Sequence, residues 1–452
     1  MYRYETLVQE MQRKIAQGHW KEGERLPSIR SLAKAYQCSK STVIRAFHQL
    51  EQQHLVYAKA QSGYFVVKKG SQEDNKSGEW IDFASASPDS QLFPYRDFQH
   101  CLNQAIDRYQ DSLFVYGTSH GLLSLIEVLQ KHLAAYQVFA DLNQFVITSG
   151  VQRALSILTM MPFPNQKEMV LVEQPTYHLL VQLLKLAQLP SIGIERTAKG
   201  IDLDYVEHLF QTKSIKFFYT TSRFHNPLGT SYTQAEKKEL AELARRYQVY
   251  IVEDDYLVDF EVDSKADPIY SYNRDNVIYL KSFSKNLFPG LRVGVIILPS
   301  ELISSFIQYK SIHDIDSSML SQAGLEIYIK NGMYQYHQEK IRAVYVSRMK
   351  KLNQVLDNLE IADTISYPVL QSGLHSHLLL KYPISLPKLQ SKLDQYQVRF
   401  GTMYNSYLSS YPAKRMIRLN LSTVPEVKIE EGVTRVVKEI NRLSHLQKRQ
   451  FF

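Results

Sequence analysis

A run of β-forming residues, Val277 to Leu280, delivers the chain into Ser282-Phe283-Ser284-Lys285. Seven residues past the lysine, after Pro289-Gly290, stands Arg292, and a second apolar run, Val293 to Leu298, follows. The layout predicts strand, turn, strand. A lysine placed at the end of a buried strand, among hydroxyls and an arginine, suits Schiff-base chemistry with an anionic ligand. The amine must be deprotonated to attack an aldehyde, so it needs surroundings that lower its pKa. Hydroxyls and an arginine fork hold a phosphate. From these residues alone, a surface Lys and Arg beside a core strand is the other reading.

Further apolar runs each end in polar residues. Val146 to Thr148 passes through Ser149-Gly150 into a helix at Val151-Gln152. Free N–H groups at a helix start, with the helix dipole, make an anion site. Val170 to Glu173 ends in Gln174-Pro175-Thr176-Tyr177, and Ile215 to Thr220 leads to His225-Asn226-Pro227-Leu228-Gly229. Tyr250 to Val252 ends in Glu253-Asp254-Asp255-Tyr256, which by itself also fits a metal or a surface acidic pair. Near the C-terminus Arg418 sits inside the apolar run Met416 to Leu421, while Lys414 and Arg415 before it are read as solvated. An arginine in such a place pairs bidentately with a carboxylate.

The order and spacing of these segments resemble the fold-type I pyridoxal-phosphate (PLP) aminotransferases. The resemblance implies PLP as cofactor, with Lys285 its Schiff-base partner and Asp254 on the pyridine nitrogen as the catalytic pair. It implies Tyr256 and Asn226 on the 3′-oxygen and Tyr177 against the ring. Gly150, Val151 and Gln152 would cradle the phosphate by backbone, with Ser282, Ser284 and Arg292 on the same side. Arg418 would grip a substrate α-carboxylate. Leu113 to Gly117 and Gly121 to Leu125 resemble the family's YG…GLxxL segment, which implies that Tyr116 reaches the phosphate of a neighbouring subunit. A buried structural tyrosine is the alternative there, and Ile126 stands where an arginine is usual. His225 receives no role, and no metal ligands are expected.

The formal charge of +8 is unevenly placed. Residues 1–70 hold 12 Lys/Arg against 5 Asp/Glu, and the remainder holds 41 against 40. A small basic region on a near-neutral body is the footprint of a nucleic-acid binder, or of a basic, highly soluble domain. Tyr4, Leu7, Met11 and Ile15 share a helical face. Ile29, Leu32, Ala33 and Tyr36 form a second stripe behind Ser28 as cap, and Val43, Ala46, Phe47 and Leu50 a third behind Ser39. Leu55 to Tyr57 and Tyr64 to Val67, around Gln61-Ser62-Gly63, read as a hairpin. Three helices and a hairpin make a winged helix-turn-helix, whose third helix enters the DNA major groove.

The runs ERLPSIRSLA and SKSTVIRAFHQLE and the SGYFV wing resemble the GntR family of bacterial regulators. The resemblance implies Arg30, Ser39, Lys40, Ser41 and Thr42 as DNA contacts and places Gly63 in the wing. The family often has an arginine where Ile44 stands; Arg45, next to it, is the substitute candidate.

At 452 residues two or three domains are expected. The expected boundaries are 1–67 for the reader, 68–79 for a charged linker and 80–452 for an α/β aminotransferase-like body. That body has a large mostly parallel sheet and a small α+β subdomain from roughly 335 to 452. Only Cys38 and Cys101 are present, which fits a reducing compartment. No signal segment or membrane-length apolar run is seen, so a soluble cytoplasmic protein is expected. A GntR-type reader fused to an aminotransferase-like body resembles the MocR subfamily of regulators. That implies a head-to-tail homodimer on operator DNA, with PLP on Lys285 sensing an amino compound or PLP itself. A working aminotransferase that tunes its own expression, and a PLP-free DNA-binding scaffold, are the other two readings.

Overall fold

Three helices open the chain: α1 (Arg3–Ala16), α2 (Ile29–Ala35) and α3 (Lys40–Gln52). They are seen in a computed structural model that describes residues 3–448 apart from 22, 53–54, 60–61, 68–79, 264–265, 315 and 362. Ser28 caps α2 by accepting Ser31 N–H at 3.2 Å, and Ser39 Oγ accepts Thr42 N–H at 3.1 Å at the start of α3. Leu7, Met11, Leu32, Val43, Phe47 and Leu50 make one apolar core. The hairpin β1 (Val56–Lys59) and β2 (Gly63–Val66) closes over it, pinned by Tyr64 stacked on Phe47 at 4.1 Å. Chain contacts divide the protein into two units, Met1–Glu79 and Trp80–Phe452. The charged stretch 68–79 lies outside the described residues.

The second unit begins with a short strand, β3 (Ile81–Phe83), that belongs to a smaller sheet. Eight strands then build a larger one: β4 (Phe145–Thr148), β5 (Met169–Gln174), β6 (Ser191–Thr197), β7 (Gly200–Ile201), β8 (Ile215–Thr220), β9 (Tyr250–Asp254), β10 (Val277–Ser282) and β11 (Gly294–Ile297). Their order is β4-β11-β10-β9-β8-β5-β6-β7. The five strands from β10 to β6 run parallel, and β11 is antiparallel to both of its neighbours. Helices cover both faces, so β4, β8, β9 and β11 are buried along their whole length. Alternate residues still part company: Phe218, Ile251 and Tyr279 enter one core, and Phe217, Val252 and Leu280 the other.

The remaining strands are β12 (Ile365–Ser366), β13 (His375–Leu380), β14 (Val398–Thr402) and β15 (Met416–Asn420). With β3 they make the sheet β12-β13-β15-β14-β3, which has its own core with the helices Met333–Asn358 and Glu426–Lys448. The smaller sheet therefore draws a strand from the start of the unit as well as from the segment after 335. No helix among the described residues is long and apolar enough to cross a membrane.

Candidate functional site

The first turn of α3 gathers hydroxyls. Ser39 Oγ lies 2.7 Å from Ser41 Oγ and 2.8 Å from Thr42 Oγ1. Lys40, Ser41, Ile44 and Arg45 are exposed, because Val43, Ala46 and Phe47 occupy the core-facing side of the helix. Arg45 does not project freely: its guanidinium rests 4.8 Å over the ring of Tyr4 in α1. Ile44, 40 % exposed, has the freer position on this surface. Arg30 is exposed in the first turn of α2. Gly63 adopts φ +96°, which favours glycine, and a Cβ there would stand 3.5 Å from Arg25 Nε. Arg25, not singled out in the sequence, thus lies against the wing.

In the larger unit a cavity of about 300 Å³ opens where the parallel strands end. That is the usual ligand position in an open α/β sheet. At one end β4 turns through Gly150, at φ +101°, into the helix Val151–Met160. The first-turn N–H groups of Val151 and Gln152 have no carbonyl to meet within the helix. Gly294 has no room for a side chain, since a Cβ would stand 2.8 Å from the Gly150 backbone. Arg292 Nη2 donates to Ser149 O at 2.8 Å, and Ser282 Oγ accepts Ser284 N–H at 3.2 Å. Gly150, Val151, Gln152, Ser282, Ser284 and Arg292 line the cavity, and together they form a cationic, donor-rich end.

Lys285 Nζ donates to Ala86 O at 2.6 Å. Burial, helped by the charge of Arg418, lowers its pKa to about 8. Opposite stands Asp254, at the end of β9. Its Oδ2 accepts Tyr219 O–H at 2.7 Å, and its Oδ1 is buried with no hydrogen-bond partner. Burial pushes this carboxyl up to about 7, against the Tyr219 hydrogen bond. Its neighbours in the acidic run are engaged elsewhere. Glu253 accepts Ile269 and Tyr270 N–H, each at 2.9 Å, and Asp255 is forked by Arg223. Strand alternation thus gives one carboxylate of three to the cavity.

Tyr177, Asn226 and Tyr256 line the walls. The Tyr256 hydroxyl donates to Phe224 O at 3.1 Å. At the far end, on β15, Arg418 Nη2 donates to Ala84 O at 3.1 Å, while its buried Nε has no partner. The segment Ala84 to Ala86 therefore touches both Arg418 and Lys285. It acts through backbone carbonyls, which side-chain patterns do not reveal. His178, His375 and Asn420 also line the cavity and were not among the candidates from sequence. Tyr116 is not there: it is 81 % exposed, beside exposed Phe114 and Val115, and takes no part in the cavity of its own chain.

The donor set fits PLP. A donor-rich cradle suits a phosphate, a carboxylate oxygen without a partner suits a protonated ring nitrogen, and a lysine of lowered pKa suits an aldehyde.

Residues 79–436 match the family model for aminotransferase class I and II, and residues 3–66 that for bacterial regulatory proteins of the gntR family. The chain is similar to the uncharacterized HTH-type transcriptional regulator YcxD of Bacillus subtilis (strain 168), 49 % identical over 438 residues, which are 96 % of this chain and 98 % of the relative. It is also similar to aromatic-amino-acid aminotransferase 1 of Thermococcus litoralis, 26 % identical over 81 % of this chain and 89 % of that one. Among solved structures, Pyrococcus horikoshii kynurenine aminotransferase in complex with PMP superposes with a TM-score of 0.74 at 26 % identity, over 80 % of this chain and 91 % of that chain.

Proposed function

Because the chain belongs to the aminotransferase class I and II family and opens with a gntR-family segment, we propose that it is a cytoplasmic DNA-binding transcription regulator whose body binds PLP and senses an amino compound, or PLP itself. One observation carries the reading. Lys285, Asp254 and Arg418 meet in a single cavity, in a chain whose N-terminal unit exposes the first turn of a recognition helix.

When bound, PLP supplies an aldehyde that captures primary amines and a ring that withdraws electrons. Lys285 would hold the aldehyde, and Asp254 Oδ1 would accept the ring N–H. The phosphate would lie on Val151 and Gln152 N–H, with Ser282, Ser284 and Arg292. Tyr177 and Asn226 would bound the ring, and Arg418 would orient an acid group of the ligand. Lys285, when not bonded to the cofactor, would donate to Ala86 O, in the segment that Arg418 also holds at Ala84 O. A change at the lysine is thereby felt in the backbone of residues 84–86. Exposed Phe114, Val115 and Tyr116 support a second copy covering this loop, in a head-to-tail homodimer on paired operator half-sites.

The experiment is a visible absorbance spectrum of the purified protein and of Lys285→Ala, with added PLP and then a panel of amines. A cofactor band that needs Lys285 and shifts with one compound supports the reading and identifies the effector. No band with added PLP contradicts it. A second reading, steady transamination, is favoured by the lowered pKa of Lys285, which suits a proton carrier as well as an anchor. Sustained conversion of an amino acid and keto acid pair would establish it, whereas a single stalled half-turnover favours the sensor.

A further inference from the structure

Two histidines tie the smaller sheet to the loop that carries Asn226. His375 and His377 stand two residues apart on β13, so they share one face of the sheet. In the antiparallel register they oppose Asn420 and Arg418 of β15. His377 Nδ1 donates to Leu228 O at 2.8 Å, and His375 Nε2 donates to His225 O at 3.2 Å. Both side chains are buried, and burial lowers their pKa values to about 4 and about 3 respectively. Each ring is therefore neutral at physiological pH, with its single N–H on the nitrogen that faces a carbonyl.

The loop also meets the larger sheet on its other side. His225 Nε2 lies 3.1 Å from Glu173 Oε2, an oxygen that also accepts Thr221 N–H at 3.1 Å. His225 Nδ1 accepts Leu228 N–H at 3.3 Å, which closes the turn around Asn226-Pro227. Gly229 shows how closely strand and loop approach: at φ +80°, a Cβ there would stand 2.3 Å from His375 O. Other links between the two sheets, Thr176 N–H to Ser406 O and Leu408 N–H to Gln174 Oε1, both 2.8–2.9 Å long, reach the end of β5 and not this loop.

We propose that His375 and His377 are positioning residues that couple an acid group held by Arg418 to the placement of Asn226, so that a carboxylate ligand tightens PLP binding and PLP tightens the carboxylate. The proposal rests on the cofactor reading above. Its physical basis is that β13 and β15 are paired over five residues and move together. An anion that settles β15 also settles the two N–H donors on the loop carbonyls. The ligand class is a small monocarboxylate or the carboxylate end of an amino acid. By linkage the effect is equal in both directions.

The test measures the PLP dissociation constant of the full-length protein with and without saturating sodium butyrate at constant ionic strength. Butyrate has a carboxylate and no amine, so it probes Arg418 without reacting with the cofactor. In the wild type butyrate is expected to tighten PLP by about fivefold or more. Arg418→Ala abolishes that gain. His377→Leu also abolishes it, each variant being compared with its own PLP affinity without butyrate. His377→Asn, whose amide N–H replaces Nδ1–H, restores the gain. Tightening that survives in His377→Leu or Arg418→Ala, or a wild type indifferent to butyrate, overturns the coupling. A wild type that binds no PLP overturns the cofactor reading as well, and so is told apart. Should His377→Leu fail to fold, amide exchange in the wild type decides. Slower exchange at residues 225–230 with butyrate supports the coupling, and unchanged exchange there overturns it.

Discussion

Asp254 shows how much one residue depends on what surrounds it. It is buried, its carboxyl is pushed up to about 7, and one of its oxygens has no partner. Because its folded pKa lies above the unfolded value near 4, the folded apo-protein holds the extra proton between about pH 4 and 7. Its contribution to stability is therefore lost as pH rises through that window. Asp254→Asn is expected to melt a few degrees above wild type at pH 8 without PLP, and to match it near pH 4, as read by thermal unfolding. A pH-independent difference would show that ionisation of Asp254 is not the cause. The same substitution should weaken PLP binding at least about tenfold, since a carboxylate–N–H⁺ pair is among the stronger hydrogen bonds. The acidic run was legible in sequence and the family resemblance singled out Asp254; residue type alone does not, because which of the three carboxylates reaches the cavity depends on strand alternation and on where the partners Arg223, Ile269 and Tyr270 lie. The contribution of Ala84 and Ala86 was not legible at all, because a backbone carbonyl leaves no trace in residue type.

Among elements, β10 is held from below by a buried ion pair that no motif announced. Lys281 pairs with Asp259, which also accepts Tyr334 O–H at 2.9 Å and Tyr136 O–H at 3.0 Å. Burial alone would push Asp259 up, but Lys281 and His132 overcome it and hold the carboxyl below the usual range. Asn286, next to the key lysine, donates to the same carboxylate. Lys281→Met removes the lysine charge from that buried carboxylate, and should cost roughly 3–5 kcal/mol in denaturant unfolding. A loss under about 1 kcal/mol would mean that the pair is solvated in solution. On α3 the helix, its cap and its exposed face were legible from periodicity, but the stacking of Arg45 on Tyr4 was not, since it joins two helices. Lys40→Ala is therefore expected to weaken binding to random duplex DNA and to reduce the salt slope by about one. Arg45→Ala should do less. Equal losses from both would place Arg45 on the DNA despite Tyr4. The three-residue β3 was missed because so short a run carries no period, although it completes the smaller sheet.

For the whole molecule, the union of a DNA reader with an aminotransferase-like body could be read from two sets of motifs, because each set pairs residue chemistry with fixed spacing. What could not be read is how the cavity is finished: by the segment 84–86, by His375 of the smaller sheet, and, as proposed, by a second copy that buries Tyr116. The central claim is that occupancy of the Lys285 site changes how the protein binds DNA. A ligand does this only if it favours one arrangement over another. The most direct measurement is the affinity for promoter DNA of the protein's own gene, taken for wild type and Lys285→Ala, with PLP and with PLP plus the amine that shifts the absorbance. The account predicts that the amine changes the affinity of wild type severalfold and leaves Lys285→Ala unmoved, with both proteins binding DNA in its absence. An affinity that ignores PLP and amine, or a response that persists without Lys285, would contradict it.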